Sequence, residues 1–153
     1  SSSDLCKLFL GIFSRKPLPV VVVPPVIEPT GTVSYTIAHA ILLTKLAQLG
    51  DTEAEIFLPD ADVKIYSKDD VIASESLKRV SKLTYIAGEH DCDDFAAKLY
   101  GKFAGLVWTN LHALNWFIDS SQTFWYIEPQ TGKISKALDT SWQGEDVRFY
   151  LGR

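Results

Sequence analysis

The stretch Glu89-His90-Asp91-Cys92-Asp93-Asp94-Phe95-Ala96 sets a polar turn directly against an apolar helical pattern, and the fold follows from how it is read. Cys92, Phe95, Ala96, Leu99 and Phe103 recur at i, i+3, i+4, i+7 and i+11, so a helix begins at the cysteine and the sulfur shares its core-facing stripe. Asp91 takes the N-cap position, with Asp93 and Asp94 in the first turn, where acidic groups meet the positive end of the helix dipole. The unpaired N–H groups of that turn also favour a thiolate. The Cys92 thiol is therefore expected to ionise below the range of a free cysteine.

Downstream, Leu106 to Asp119 and Thr123 to Glu128 are rich in β-branched and aromatic residues and are read as two strands joined through Asp119-Ser120-Ser121-Gln122. His112, Leu114, Trp116 and Ile118 share one face of the first, and Phe124, Tyr126 and Glu128 one face of the second. Pairing Ile118 with Gln122 sets Trp116 opposite Phe124, Leu114 opposite Tyr126 and His112 opposite Glu128, gathering the large apolar side chains on one buried face. A thiol at a helix start, a strand histidine and a carboxylate on the next strand are the parts of a nucleophile, a base and an orienting acid. The expectation is a Cys92-His112-Glu128 catalytic triad working through a thioester. Each residue has a plainer role beside this one: Cys92 as a small core hydrophobe, His112 as a satisfied strand-end histidine, and Glu128 as a charge before the Pro129-Gln130-Thr131-Gly132 turn.

The order of cysteine on a helix, histidine on a strand, and acid followed by proline on the next strand resembles the papain-like and transglutaminase-like cysteine hydrolases. More narrowly, Asp91-Cys92-Asp93-Asp94-Phe95-Ala96, His112-Ala113-Leu114-Asn115 and Trp125-Tyr126-Ile127-Glu128-Pro129-Gln130 resemble phage and bacterial proteins related to the C-terminal cysteine protease domain of fungal agglutinins. The resemblance covers roughly residues 57 to 136. It implies Cys92 as nucleophile, His112 as base and Glu128 as third member of the triad, in a peptidase or amidase acting on a peptide or amide. A peptidoglycan amidase or an acyl transferase is a neighbouring reading. No cofactor is required by this chemistry, although the resemblance leaves calcium open. The alternative from another class is a non-catalytic phage or bacterial accessory protein that reuses the fold to bind a partner.

Other candidates sit around this core. Asn110, Trp108 and Trp125 are expected to serve an oxyanion hole or a substrate groove, with Trp142 as a further groove residue, against commoner roles as hydrogen-bonded or core strand residues. The acidic cluster Glu89, Asp91, Asp93 and Asp94 offers oxygen ligands for a hard cation but has no EF-hand pattern, and helix capping is its plainer role. His90 is a weak rival base, and His39 is read as a surface residue of another helix.

The remaining chain sets bounds. With 153 residues of which 46% are hydrophobic, one domain with a sizeable core is expected. A net charge of −4 without a dense basic stripe argues against nucleic acid as partner. Two cysteines, Cys6 and Cys92, are too few for a disulfide framework. The apolar run Leu5 to Phe13 is far shorter than the roughly 20 residues of a membrane span and makes a poor signal peptide; the compartment is not fixed by the sequence, and the resemblance implies a cytoplasmic or phage-associated one. The chain has no Met, so residues upstream of Ser1, including a targeting segment, are left open.

Pro17 to Pro29 holds five prolines around Val20 to Val23 and reads as an extended arm. Ser34 to Leu49 reads as a helix with Ile37, Ile41, Leu42, Lys45, Leu46 and Leu49 on its stripe and Gly50 as terminator. Val63 to Tyr66 reads as a short strand, Ser67 as the cap of a helix over Val71 to Leu83, and Val147 to Leu151 as a last strand. The expected fold is α+β and papain-like, with N-terminal helices, one carrying Cys92, packed on an antiparallel β-sheet whose hairpin holds His112 and Glu128. It occupies residues 32–153, behind an N-terminal segment and proline-rich arm over 1–31.

Overall fold

The computed structural model describes residues 17–19, 26–51, 53–142 and 146–153. Cys6 and residues 20–25 of the proline-rich arm lie outside them. The described residues form β1 (Gly31–Ser34), α1 (Tyr35–Leu49), β2 (Glu55–Phe57), β3 (Asp62–Ile65), α2 (Lys68–Ala73), α3 (Glu75–Ser81), α4 (Cys92–Leu99), β4 (Gly105–Thr109), β5 (Ala113–Ile118), β6 (Phe124–Glu128), β7 (Lys133–Ser135) and β8 (Val147–Leu151). The class is α+β, with helices packed on a large sheet. That sheet runs β2-β8-β4-β5-β6-β7, and a separate ribbon pairs β1 with β3. The large sheet is mixed rather than antiparallel throughout, because the edge strand β2 pairs parallel with β8.

Local chemistry sets several boundaries as read from the sequence. Ser34 caps α1 by accepting the Ile37 N–H, and Gly50 closes it at a left-handed φ of 71°. The buried stripe of α1 is Ala38, Leu42 and Leu46, spaced by four, while Ile37 and Leu49 are exposed. The expected stripe was thus rotated. The apolar pattern of α1 is too broad to single out a face, and the small Ala38 is what lets the helix approach the sheet. The helix expected over Val71 to Leu83 is two helices, because the extended Ser74 ends α2 and caps α3 by accepting the Leu77 N–H at 3.2 Å.

The strand expected over Leu106 to Asp119 also divides. Thr109 donates its N–H to the His112 carbonyl at 2.8 Å while its Oγ1 accepts the His112 N–H at 2.8 Å, folding Thr109 to His112 into a tight turn between β4 and β5. The β5–β6 hairpin then pairs Ile118 with Phe124, Trp116 with Tyr126 and Asn115 with Ile127. This register is two residues away from the expected one. Asp119 explains the shift: its Oδ1 accepts the N–H groups of Ser121 at 2.8 Å and Thr123 at 3.0 Å, and Gln122 turns at a φ of 62°. The turn therefore lies over Ser120 to Gln122, one residue later than read. A slip of two preserves every face, so His112 and Glu128 remain on the same side.

Two clusters cover the two faces of the sheet. Ala38, Leu42 and Leu46 pack with Leu114, Trp116, Tyr126 and Tyr150 on one. Phe95, Leu99, Leu77 and Val80 pack with Phe117 and Ile127 on the other. Every residue of β5 is consequently buried, where the sequence reading gave the hairpin a single buried face.

Within the first cluster the hydroxyls of Tyr126 and Tyr150 hydrogen-bond at 2.6 Å. Burial raises both phenols above their ordinary range, Tyr126 to about 12. The folded state therefore holds these protons more tightly than the unfolded chain, and the stabilisation present below pH about 10 is lost as pH rises toward the folded value. For Tyr126 alone this amounts to roughly 2–3 kcal/mol. The urea midpoint should fall between pH 8 and pH 11 and fall less in the Tyr126→Phe/Tyr150→Phe double variant. A midpoint constant across that range in the wild type would refute the assignment.

Candidate functional site

A cleft opens where the start of α4, the β4–β5 turn and the β6–β7 turn converge. Cys92, His112 and Glu128 all line it, in a cavity of about 340 Å³. The three residues are brought together by different elements. Cys92 is the first residue of α4, behind the N-cap Asp91, whose N–H is accepted by the Asp94 carboxylate at 3.2 Å. His112 closes the Thr109 turn and lies just before β5. Glu128 ends β6, where its Oε1 accepts the Gln130 N–H at 3.1 Å and its carbonyl accepts the Gly132 N–H at 2.8 Å.

His112 Nε2 and Glu128 Oε2 are 2.6 Å apart, and the two residues are only 9% and 4% exposed. With Glu128 as the acceptor, Nε2 carries the donated proton and Nδ1 is left for other partners. A short hydrogen bond of this kind fixes the ring in its plane. Pairing and backbone anchoring also answer the cost of burying the carboxylate.

The thiol differs from the expectation. Burial pushes the Cys92 thiol up from its ordinary value, and the carboxylates of Asp91 and Asp93 push it the same way, while a hydrogen bond from the Ala113 backbone N–H only partly offsets them. A helix start favours the thiolate, but desolvation and two acidic neighbours outweigh it here. Those neighbours interact with each other: a hydrogen bond between the carboxyls holds Asp91 below the usual carboxylate range and Asp93 above it.

Of the proposed acidic cluster, only Asp91 and Asp93 gather with the sulfur, their ligand atoms and Sγ lying within 4.8 Å of one another. Asp94 is committed to the cap, and Glu89 does not join the group. His90 is held by the Thr84 carbonyl at 2.9 Å through Nδ1 and packs on Phe95 at 4.5 Å between ring centres, which is a structural role. His39 stacks on Tyr35.

The expected groove residues are dispersed. Trp108 and Asn110 line a different groove with Asp146, Arg148 and Phe149, and Trp108 stacks on Phe149 at 5.9 Å. Trp125 donates its indole N–H to Asp119 at 2.7 Å and lies under the Lys68 ammonium at 4.0 Å, outside the cleft. Trp142 alone among the tryptophans lines the cleft, joined by Tyr85, Leu111, Gln130, Thr131 and Ser141. The sequence reading missed these five. Gln130 and Thr131 carried one usable signal, since they occupy the turn that directly follows Glu128.

Neither a family model nor a curated protein matches the sequence. Solved structures do match. PSL1a in complex with E64 superposes with a TM-score of 0.62 at 21% identity, over 78% of this chain and 51% of that one. Polyporus squamosus lectin bound to the human-type influenza-binding epitope Neu5Acα2-6Galβ1-4GlcNAc gives a TM-score of 0.57 at 21% identity, over 78% of this chain and 49% of that one. This chain shares their fold.

It spans about half the length of each structure. The likeness corrects the resemblance drawn from the motifs: one neighbour is a lectin holding a sialylated glycan, and the other is a complex with E64. The expectations of a cysteine peptidase, a peptidoglycan amidase or an acyl transferase, and of a peptide or amide partner, are corrected with it. Among the described residues no helix is long and apolar enough to cross a membrane.

Proposed function

We propose that the chain is a non-catalytic binding module whose Cys92–His112–Glu128 cleft receives a hydroxylated ligand of the glycan class. The observation carrying this reading is a buried, rigid His112–Glu128 pair in a cleft whose thiol is held toward its protonated form. Such a pair presents fixed polar atoms to sugar hydroxyls. Tyr85 and Trp142 supply aromatic surface for the apolar faces of a sugar ring, and Gln130, Thr131 and Ser141 supply further polar groups. The likeness to lectin structures supports the same ligand class.

Charge narrows the ligand further. Glu128, Asp91 and Asp93 lie at or beside the cleft, and the whole chain carries a net charge of −4. Carboxylates repel a sialic acid, so a neutral glycan is favoured over a sialylated one. Titration with Galβ1-4GlcNAc and with its sialylated form, followed by NMR, tests this. The neutral sugar should bind more tightly, Glu128→Gln should weaken it about ten-fold, or about 1.4 kcal/mol, and Cys92→Ser should leave it within about three-fold, less than 0.7 kcal/mol. Absence of saturable shifts at the cleft with either sugar would remove the proposal, as would binding indifferent to Glu128→Gln.

A further inference from the structure

We infer that a second site, formed by β3, β5 and the turn before β4, binds a small oxyanion. A partly enclosed cavity of about 90 Å³ lies there, lined by Lys64, Lys102 and Arg153 together with the aromatic Tyr66. Its floor is apolar, made by Phe103, Trp116 and other buried residues. None of these residues belongs to the Cys92 cleft.

Lys64, Lys102 and Arg153 are exposed, so water screens their mutual repulsion, but together they gather positive charge at the mouth of one cavity, with the Glu28 carboxylate close enough to act on Tyr66. Among the described residues, none of the three forms an ion pair with a carboxylate, and the ion pairs present join Lys78 to Glu75, His112 to Glu128 and Lys133 to Asp139. The arrangement is also held by the backbone. Gly101 turns at a φ of 83°, and a Cβ placed there would fall 1.6 Å from a guanidinium nitrogen of Arg153, so the glycine makes room for Arg153 to lie across the turn. The Tyr66 hydroxyl reaches the Lys102 carbonyl only at 3.5 Å, which leaves it free to donate more strongly to another acceptor.

An oxyanion is the ligand whose chemistry matches all four groups. Arg153 offers a planar fork of N–H donors matched to carboxylate or phosphate oxygens, the lysines offer point charges, and Tyr66 adds a neutral donor. The apolar floor lowers the local dielectric and strengthens each attraction. The volume exceeds the roughly 30 Å³ of one liquid water but is too small for a sugar ring with its shell, which suits a single phosphate or carboxylate group.

The test is a titration of the full chain with sodium phosphate and, separately, sodium acetate, at an ionic strength held constant with sodium chloride. Amide signals of Gly101 and Lys102 report binding. Saturable shifts with phosphate or with acetate are expected, and whichever anion saturates identifies the oxyanion. Arg153→Gln should weaken that binding at least ten-fold and Lys64→Gln by a smaller factor, with the remaining amide spectrum unchanged in both. Shifts that are linear and equal for phosphate, acetate and chloride would overturn the site. So would an Arg153→Gln variant that titrates like the wild type.

Discussion

Replacing Gly105 with alanine is expected to destabilise the protein by roughly 3 kcal/mol or more. Gly105 opens β4 opposite Trp116 on β5. A Cβ there would lie 2.4 Å from two atoms of the Trp116 indole and 2.6 Å from the Leu151 carbonyl oxygen of β8. The oxygen is backbone and cannot swing away. The indole cannot either, because it is 2% exposed, stacks on Phe124 at 5.6 Å and donates its N–H to that same Leu151 oxygen at 3.2 Å. Relief requires β4 to part from β5 or β8, both of which it joins at the centre of the sheet. At about 2–4 °C per kcal/mol for a chain of this size, Tm should drop by roughly 6–12 °C. Thermal unfolding followed by circular dichroism measures this directly, and Trp116→Leu should cost less in the Gly105→Ala background than in the wild type, because the clash and the indole are coupled. A Gly105→Ala protein melting within a degree or two of the wild type would mean that the close approach is absent.

The exchange of Asn115 for aspartate should have an effect of similar size despite changing so few atoms. Asn115 is fully buried, and its Nδ2 donates both protons, to the Ala96 carbonyl of α4 at 2.9 Å and to the Gly105 carbonyl of β4 at 3.0 Å. It is the polar rivet between the cysteine-bearing helix and the sheet. A carboxylate at this position faces two carbonyl oxygens with no proton to offer, and an uncompensated buried charge costs about 3–5 kcal/mol. The carboxyl would stay protonated above its ordinary range. A group with a raised folded value contributes stability below the unfolded value near 4 and loses it as pH rises through the folded one. Asn115→Asp should therefore be closest to wild type at low pH and weakest at neutral pH, opposite in sign to a salt-bridged aspartate. Denaturant midpoints of the two proteins at pH 4.5 and pH 7.5 provide the comparison. A gap that stays constant or narrows toward pH 7.5 would be inconsistent with the two hydrogen bonds.

The meeting of His112 with Glu128 was legible because side-chain parity survives a register error of two. Both residues keep their face whether the hairpin turn starts at Asp119 or Ser120. The register itself was hidden in Asp119, whose carboxylate takes two turn N–H groups and moves the turn by one residue. The break between β4 and β5 was hidden for a related reason. Thr109 counts as a β-branched strand former in a pattern, yet its hydroxyl is what folds the backbone back on itself. Ser74 acts in the same way between α2 and α3. Short polar side chains carry both meanings, and only the contacts made by their neighbours decide between them.

The thiol was misread because position along a helix can be seen in a sequence while desolvation cannot. The helix start at Cys92 is real, and so is the N-cap at Asp91. What the pattern could not give was the balance between the dipole and the burial of the sulfur beside two carboxyls. The tryptophans illustrate the same limit. Trp108 and Trp125 are close to site residues in sequence, but the alternation of strand faces and the turn at Thr109 carry them elsewhere, while Trp142, remote in sequence, lines the cleft.

The pH dependence of Cys92 alkylation by iodoacetamide, resolved from Cys6 by peptide mass, tests most directly whether this cleft binds rather than reacts. A thiol held protonated by burial and by Asp91 and Asp93 should react slowly below pH 7, with a rate rising about ten-fold per pH unit toward pH 9, and His112→Ala should change that profile little. Fast alkylation, flat from pH 5 to pH 7 and abolished by His112→Ala, would reveal a thiolate paired with an imidazolium and contradict the account.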